Sequence, residues 1–261
     1  MTVPEILALD FDGVCCDGLR EYFETSRRVY ARVWPADTMP GPELFDVFCA
    51  LRPVILSGWE MPVLLRAIAH GCPRAAILSG WDAVRDAIAT ADRRGAALGP
   101  LLGHTLDAVR REWIATDLEG WLALHAPYAT LAELRRLVAE PGRAVLVTTK
   151  EGEFARLILD RWDVRLSDVQ GKETGAHKCE NLRTLIAAWV AAHGRRPRLA
   201  FVEDRLETLQ HVTTHPDLDD VALYLAEWGY NTEAARAFAR ADGRIRLLTL
   251  GEFRGGTASW P

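Results

Sequence analysis

The sequence predicts an α/β protein, a doubly wound parallel sheet with an α-helical domain inserted near its start. Three observations carry that prediction. Six short apolar runs have the length and composition of buried strands, at 5–10, 144–149, 164–169, 198–204, 220–226 and 245–250. Helical patterns alternate with most of these runs over residues 128–261, which calls for right-handed crossovers and a sheet covered on both faces. Residues 17–127 instead carry Ala, Leu, Arg and Trp at helical spacing and few β-branched runs.

The elements follow in order. EILALD (5–10) is apolar up to Asp10 and reads as a buried strand. The insertion, 17–127, separates the two parts of the core, 1–16 and 128–261. It holds an echo, ILSGWE (55–60) and ILSGWD (77–82), each followed by a helical pattern. A duplicated helix-turn element is expected there, with Ser57 and Ser79 capping the helices and Pro62 in a first turn. Thr130 and Glu133 have the spacing of a capping box at the start of TLAELRRLVAE, and Pro141 and Gly142 end that helix before the strand AVLVTT. Further helices are predicted over 152–161, 179–193, 204–212 and 231–241, with WGYN (228–231) read as a loop and helix start.

Composition narrows the function classes. A chain of 261 residues with 49% hydrophobic and 26% charged residues suits one large domain or a core with a second lobe. A net charge of -5 offers no footprint for nucleic acid, and no nucleic-acid partner is expected. The five cysteines (15, 16, 49, 72 and 179) are odd in number, irregularly spaced and match no zinc pattern, so reduced thiols in a cytoplasmic protein are expected. No signal-like segment is seen at the amino terminus, and no stretch approaches the ~18 apolar residues of a membrane span. His211 and His215 have the i, i+4 spacing of a metal pair but lack an intervening glutamate and precede Pro216, so they read as surface residues. No feature specifies an oligomeric state.

The basic residues divide into 28 arginines and 3 lysines, Lys150, Lys172 and Lys178. Against that background, a position that stays lysine points to a need for a compact ammonium.

In an open parallel sheet, ligands collect beyond the carboxyl ends of the strands. The residues there are Asp10 and Asp12 after the first strand, Thr148 and Thr149 after the second, and Glu203 and Asp204 after the fourth, with Lys178 opening a helix between. Two carboxylates at a strand end, followed by Gly13, are seldom merely structural. A DxD after a strand also occurs in metal-dependent glycosyltransferases, but those usually carry it mid-chain, beyond a nucleotide-binding half that is missing here.

This constellation resembles the haloacid dehalogenase superfamily of phosphatases and related phosphoryl-transfer enzymes, over residues 1–16 and 128–261. Its four motifs occur in order as LALDFDGV, VLVTT, the lysine of HKCENLRTL (with Lys172 in QGKETG competing) and FVEDRLETL. The resemblance implies that Asp10 is a nucleophile forming an aspartyl-phosphate and that Asp12 is the general acid and base. It further implies that Thr148 and Lys178 bind the phosphoryl oxygens. Mg²⁺ would be held by Asp10, the backbone carbonyl of Asp12 and Asp204, with Glu203 or Glu207 orienting its waters. Thr149, Gly13 and Arg20 are expected to meet the substrate, Arg20 with Arg27 and Arg28 as cations for an anionic group. The fourth motif departs from the usual GD, and Cys179 stands where proline usually follows the lysine.

By the same resemblance the insertion corresponds in position to a helical cap. The implied activity is a Mg²⁺-dependent phosphatase acting on a small phosphorylated metabolite, similar to the phosphoglycolate phosphatase group. A phosphomutase would keep the same residues, and a non-catalytic phospholigand- or protein-binding module is the alternative of a different class. Dehalogenases lack the carboxylate that Asp12 supplies, phosphonate-cleaving enzymes need a cap lysine that 17–127 does not contain, and ATPase pumps need membrane spans.

Overall fold

The computed structural model describes residues 3–261. Its strands are β1 (Ile6–Leu9), β2 (Cys16–Asp17), β3 (Ala126–Pro127), β4 (Arg143–Val147), β5 (Asp168–Gln170), β6 (Leu199–Glu203), β7 (Ala222–Ala226) and β8 (Ile245–Leu248). Six of them form one sheet in the order β5-β4-β1-β6-β7-β8, every neighbouring pair parallel. The chain runs outward from β1 through β4 to β5, then returns to the other side of β1 for β6, β7 and β8. The carboxyl end of β1 is therefore the switch point at which flanking connections diverge. Leu9 is in register with Leu146 on one side and Val202 on the other, which brings Asp10, Val147 and Glu203 to one level at the sheet edge.

Alternation along the strands puts Ile6 and Ala8, Val145 and Val147, Phe201, and Leu223 and Leu225 into one buried cluster with Leu182, Leu185, Leu209 and Val212 from the covering helices. Burial of each large side chain contributes roughly 1.5–3 kcal/mol. β2 and β3 pair as a short antiparallel ribbon, Cys16 opposite Pro127 and Asp17 opposite Ala126, where the chain leaves and re-enters the core.

The chain divides into two compact units, one running up to Asp17 and resuming over Ala126–Pro261, the other Gly18–His125. The second unit contains α1 (Leu19–Val33), α2 (Phe45–Leu51), α3 (Glu60–Ala69), α4 (Arg74–Ala91), α5 (Leu98–Thr116) and α6 (Leu118–Leu122), joined by 3-10 turns and loops. α1 buries Tyr22, Ser26, Val29, Tyr30 and Val33, the spacing of one helical face. At its start Glu21 is fully buried and accepts two hydrogen bonds from the Arg110 guanidinium of α5, at 2.8 and 3.0 Å, and one from Trp121 Nε1 of α6 at 3.3 Å.

The two ILSGW copies do not form a structural repeat. The first is a turn before α3, whose start has no side-chain cap, and Ser57 contributes only its carbonyl to Glu60 N. The second lies inside α4, where Ser79 Oγ donates back to the Ala75 carbonyl and Gly80 kinks the helix, with φ -158° and ψ 46°. The expected caps are absent because the second copy continues a helix that has already begun at Arg74. The copies meet instead through one side chain: buried Glu60 accepts from Trp81 Nε1 (3.0 Å), Leu56 N (3.1 Å) and Arg85 (3.3 Å).

The core unit is covered by α7 (Leu131–Ala139), α8 (Gly152–Arg161), α9 (Lys178–His193), α10 (Leu206–Thr213), α11 (Glu233–Ala241) and α12 (Leu250–Gly255). The capping box opens α7 as predicted, with Glu133 N donating to Thr130 Oγ1 and Thr130 N to the Glu133 carboxylate. The strand expected at 164–169 begins later, at Asp168. Asp163 adopts a left-handed φ of 52° and Val164 N bonds back to the Leu159 carbonyl, so residues 163–164 finish α8 before β5 can start.

Candidate active site

Asp10 is the residue after β1 and is buried at the level where β4 and β6 end. The next side chain, Phe11, turns into the core, its ring centroid 6.2 Å from that of Trp162. Asp12 is thereby presented again at the strand end. The Phe11 carbonyl accepts from Val14, Cys15 and Cys16, which winds the following residues into one tight turn. Gly13 makes that turn possible with φ +88°, and a Cβ at this position would lie 2.2 Å from Asp204 Oδ2. Burial, and then the charges of Asp10 and Asp12, push the Cys15 thiol far above its usual range, which makes it a poor nucleophile.

Lys178 opens α9 and points to the same place. Its Nζ lies 3.0 Å from Asp10 Oδ1 and 2.5 Å from Glu203 Oε2. The other Glu203 oxygen accepts the backbone N–H groups of Asp204 (3.1 Å) and Arg205 (3.0 Å). Glu203, the last residue of β6, therefore fastens both the lysine and the turn that carries Asp204. Asp204 Oδ2 accepts from Tyr230 N at 2.8 Å, while its backbone carbonyl accepts from Asn231 Nδ2 at 3.0 Å.

The electrostatics follow from burying three carboxylates around one ammonium. Burial and then the charge of Glu203 push Asp10 up to about 7, against the pull of Lys178. Burial likewise pushes Glu203 up to about 7, again opposed by Lys178. Desolvation alone would lower Lys178, but Asp10 and Glu203 outweigh it and hold the ammonium well above its ordinary value. Ligand atoms of Asp10, Glu203 and Asp204 all lie within 4.8 Å of one another. A buried set of hard carboxylate oxygens with surplus negative charge fits Mg²⁺. Since both Glu203 oxygens are engaged, Asp10 and Asp204 are the better-placed carboxylate donors.

On the β4 side, Thr148 is buried and its Oγ1 accepts from Lys150 N at 3.2 Å, which leaves the hydroxyl proton to be donated. Thr149 is exposed. Lys150, also buried, places Nζ 3.3 Å from both carboxylate oxygens of Asp12. Sequence reasoning singled out the three lysines but gave Lys150 no role. Its signal was the retained lysine two residues beyond Thr148.

Asp10, Asp12, Thr148, Lys178, Glu203 and Asp204 thus come from the ends of β1, β4 and β6 and the start of α9. The competing Lys172 is 50% exposed in its side chain and pairs with Glu151 at 3.6 Å. Glu207, the alternative to Glu203, is 59% exposed and faces Arg205 at 3.3 Å. WGYN does more than the loop expected of it, because Trp228 Nε1 donates to the Val14 carbonyl (3.1 Å) and Tyr230 and Asn231 brace Asp204. Arg20 belongs to the insertion, where its guanidinium lies 6.0 Å from the Phe45 ring centroid; Arg28 stacks on Trp113 and Arg27 bonds the Pro40 carbonyl.

No protein-family model and no curated protein matches the chain. Solved structures do match. A candidate phosphoglycolate phosphatase from Lactobacillus delbrueckii subsp. bulgaricus is similar at 12% identity, with 99% of each chain covered and a TM-score of 0.62. A haloacid dehalogenase-like family hydrolase from Streptococcus pneumoniae is similar at 11% identity, with 97% of each chain covered and a TM-score of 0.54. The Protein Tyrosine Kinase A of Mycobacterium tuberculosis is similar at 17% identity over 89% of this chain and 88% of its own, with a TM-score of 0.55. At such identities what is shared is the architecture, and the chain has the α/β fold of the haloacid dehalogenase-like proteins.

Proposed function

We propose that the protein is a phosphatase of the haloacid dehalogenase superfamily that hydrolyses a small phosphorylated metabolite through an aspartyl-phosphate, with Mg²⁺ as cofactor. The observation that carries this reading is the 3.0 Å contact between Lys178 and Asp10 beside Glu203 and Asp204. A lone buried carboxylate pair would serve a structural role equally well. A carboxylate held by a lysine, within reach of further metal-ligating oxygens and next to an acid at Asp12, is equipped for phosphoryl transfer.

In this mechanism the phosphoryl group of the substrate binds against Lys178 Nζ and the Thr148 hydroxyl, both donors to its oxygens. Asp10, the Asp12 backbone carbonyl and Asp204 would hold Mg²⁺, whose positive charge would offset the repulsion between two anions. Asp10 attacks phosphorus in line, forming an Asp10–phosphorus bond as the bond to the ester oxygen breaks. Asp12 gives its proton to that leaving oxygen. It then takes a proton from water, which attacks the aspartyl-phosphate and frees Asp10 and inorganic phosphate. Acid and base assistance of this kind typically contributes ~10²- to 10⁴-fold in rate. Lys150 fixes the direction of the Asp12 carboxylate, and Glu203 keeps Lys178 on Asp10. Thr149, exposed beside Thr148, meets the substrate beyond the phosphoryl group.

The test is phosphate release over a panel of phosphorylated metabolites, with Mg²⁺ and with chelator, using Asp10→Asn as control. Phosphoglycolate heads the panel because three of the similar solved structures are named for phosphoglycolate phosphatases. Release that requires Mg²⁺ and vanishes in Asp10→Asn is expected. No turnover on the panel, or full activity in Asp10→Asn, refutes the reading; transfer to a second sugar phosphate without phosphate release would make it a mutase. A cytoplasmic location belongs to the same reading, and no described helix is long and apolar enough to cross a membrane.

A further inference from the structure

We propose that the core unit carries a second metal site, for a borderline divalent ion of the zinc class, formed by His177, Cys179 and His211 with His215 as fourth donor. The site is made of nitrogen and sulfur rather than the carboxylate oxygens around Asp10, so its ion differs in kind from Mg²⁺.

The geometry is already close. Ligand atoms of His177, Cys179 and His211 all lie within 4.8 Å of one another. The Nε2 atoms of His211 and His215 are 3.5 Å apart. A tetrahedral zinc with its usual bond lengths places donors roughly 3.3–3.8 Å apart, so His177, Cys179 and His211 need to close by at most about 1.5 Å, and His215 joins them by turning from its place beside His211. His177 and His211 are exposed, while Cys179 is a buried thiol. The rings meet edge to face, with centroids at 4.5 Å for His177 and His211 and 4.9 Å for His211 and His215.

The donors are gathered from two segments far apart in sequence. His177 and Cys179 lie at the start of α9, and His211 and His215 lie at the end of α10 and just beyond it. Spacing alone hid this arrangement. The pair His211 and His215 reads as a surface pair until α9 brings the other two donors to it.

The site adjoins the catalytic centre along the chain. His177 caps α9 by accepting from Cys179 N at 3.3 Å, a weak bond that metal ligation by His177 would replace. Lys178 lies between the two donors in the same turn, so an ion held there tethers the turn that aims the lysine.

The experiment is equilibrium dialysis of the full chain against Zn²⁺ in the presence of millimolar Mg²⁺, with Co²⁺ substitution read by absorption spectroscopy. One Zn²⁺ per chain is expected, with intense tetrahedral Co²⁺ bands and a thiolate-to-metal charge-transfer band that Cys179→Ala removes. His211→Ala is expected to lose the ion. His177→Gln provides an independent variant should His211→Ala fold poorly, and thermal unfolding of each variant reports that directly. Asp10→Asn is expected to retain the Zn²⁺. Zn²⁺ binding that survives both histidine variants, that Mg²⁺ displaces, or that lacks the sulfur band overturns the proposal. Since the readout is binding, its failure leaves the phosphatase reading untouched.

Discussion

Replacing Lys178 by methionine removes the ammonium shared by Asp10 and Glu203 while keeping most of its volume. Both carboxylates are already pushed up to about 7 with the lysine present, so without it both rise further. A carboxylate whose folded pKa lies above its unfolded value stabilises the fold at low pH, and this contribution is lost as pH rises through the folded pKa. In the metal-free wild type that loss is largely complete near pH 7. In Lys178→Met it continues above pH 7, at about 1.4 kcal/mol per pH unit for each carboxylate still protonated. Lys178 itself is charged in both states below its ordinary range and adds no slope there. The stability gap between the two proteins should therefore widen by ~1–3 kcal/mol from pH 7 to pH 8. Urea unfolding with chelator present, at pH 6, 7 and 8, measures it. A gap that is constant with pH would refute the claim that the lysine pulls down the pKa of the two buried carboxylates.

The remaining predictions concern other links. Gly13→Ala forces a left-handed alanine, at ~1–2 kcal/mol, and drives its methyl into the Asp204 carboxylate. Mg²⁺ affinity, measured by calorimetry, should fall at least tenfold, and an unchanged affinity would separate Asp204 from the metal. Lys150→Met releases Asp12 and should forfeit part of the ~10²- to 10⁴-fold that acid-base assistance provides. The loss in kcat should be smaller on p-nitrophenyl phosphate than on an alkyl phosphate, because a good leaving group needs little protonation; equal losses would contradict the role. In the insertion, Glu21→Ala and Arg110→Ala each remove one member of a buried ion pair and should cost ~3–5 kcal/mol. The double variant should cost little more than either, and additive losses would show that the pair is not coupled.

The parts of this protein legible in the sequence are those fixed by short-range chemistry. The run up to Asp10, the capping box at Thr130 and Glu133, and Asp204 after an apolar strand each announce themselves within a few residues. β5 was misplaced because it is an edge strand paired only with β4, so its residues need not alternate, and the end of α8 shares its polar composition. Ser79 looked like a cap because composition cannot tell whether a helix has already begun. The role of Lys150 and the nearness of His177 to His211 are illegible in the sequence for another reason. Their meaning depends on partners 138 residues away in the first case and 34 in the second (Lys150 to Asp12, His177 to His211), and a single sequence carries no record of such pairings.

The central claim is that Asp10 becomes covalently phosphorylated. Rapid quenching of the enzyme with a labelled phosphate ester, followed by peptide mass mapping, tests it most directly. The account predicts a phosphorylated Asp10 that hydroxylamine releases, that accumulates in a variant lacking the Asp12 carboxylate and that is absent from Asp10→Asn. Single-turnover hydrolysis at full rate with no label on the protein would contradict it, as would label on any other residue.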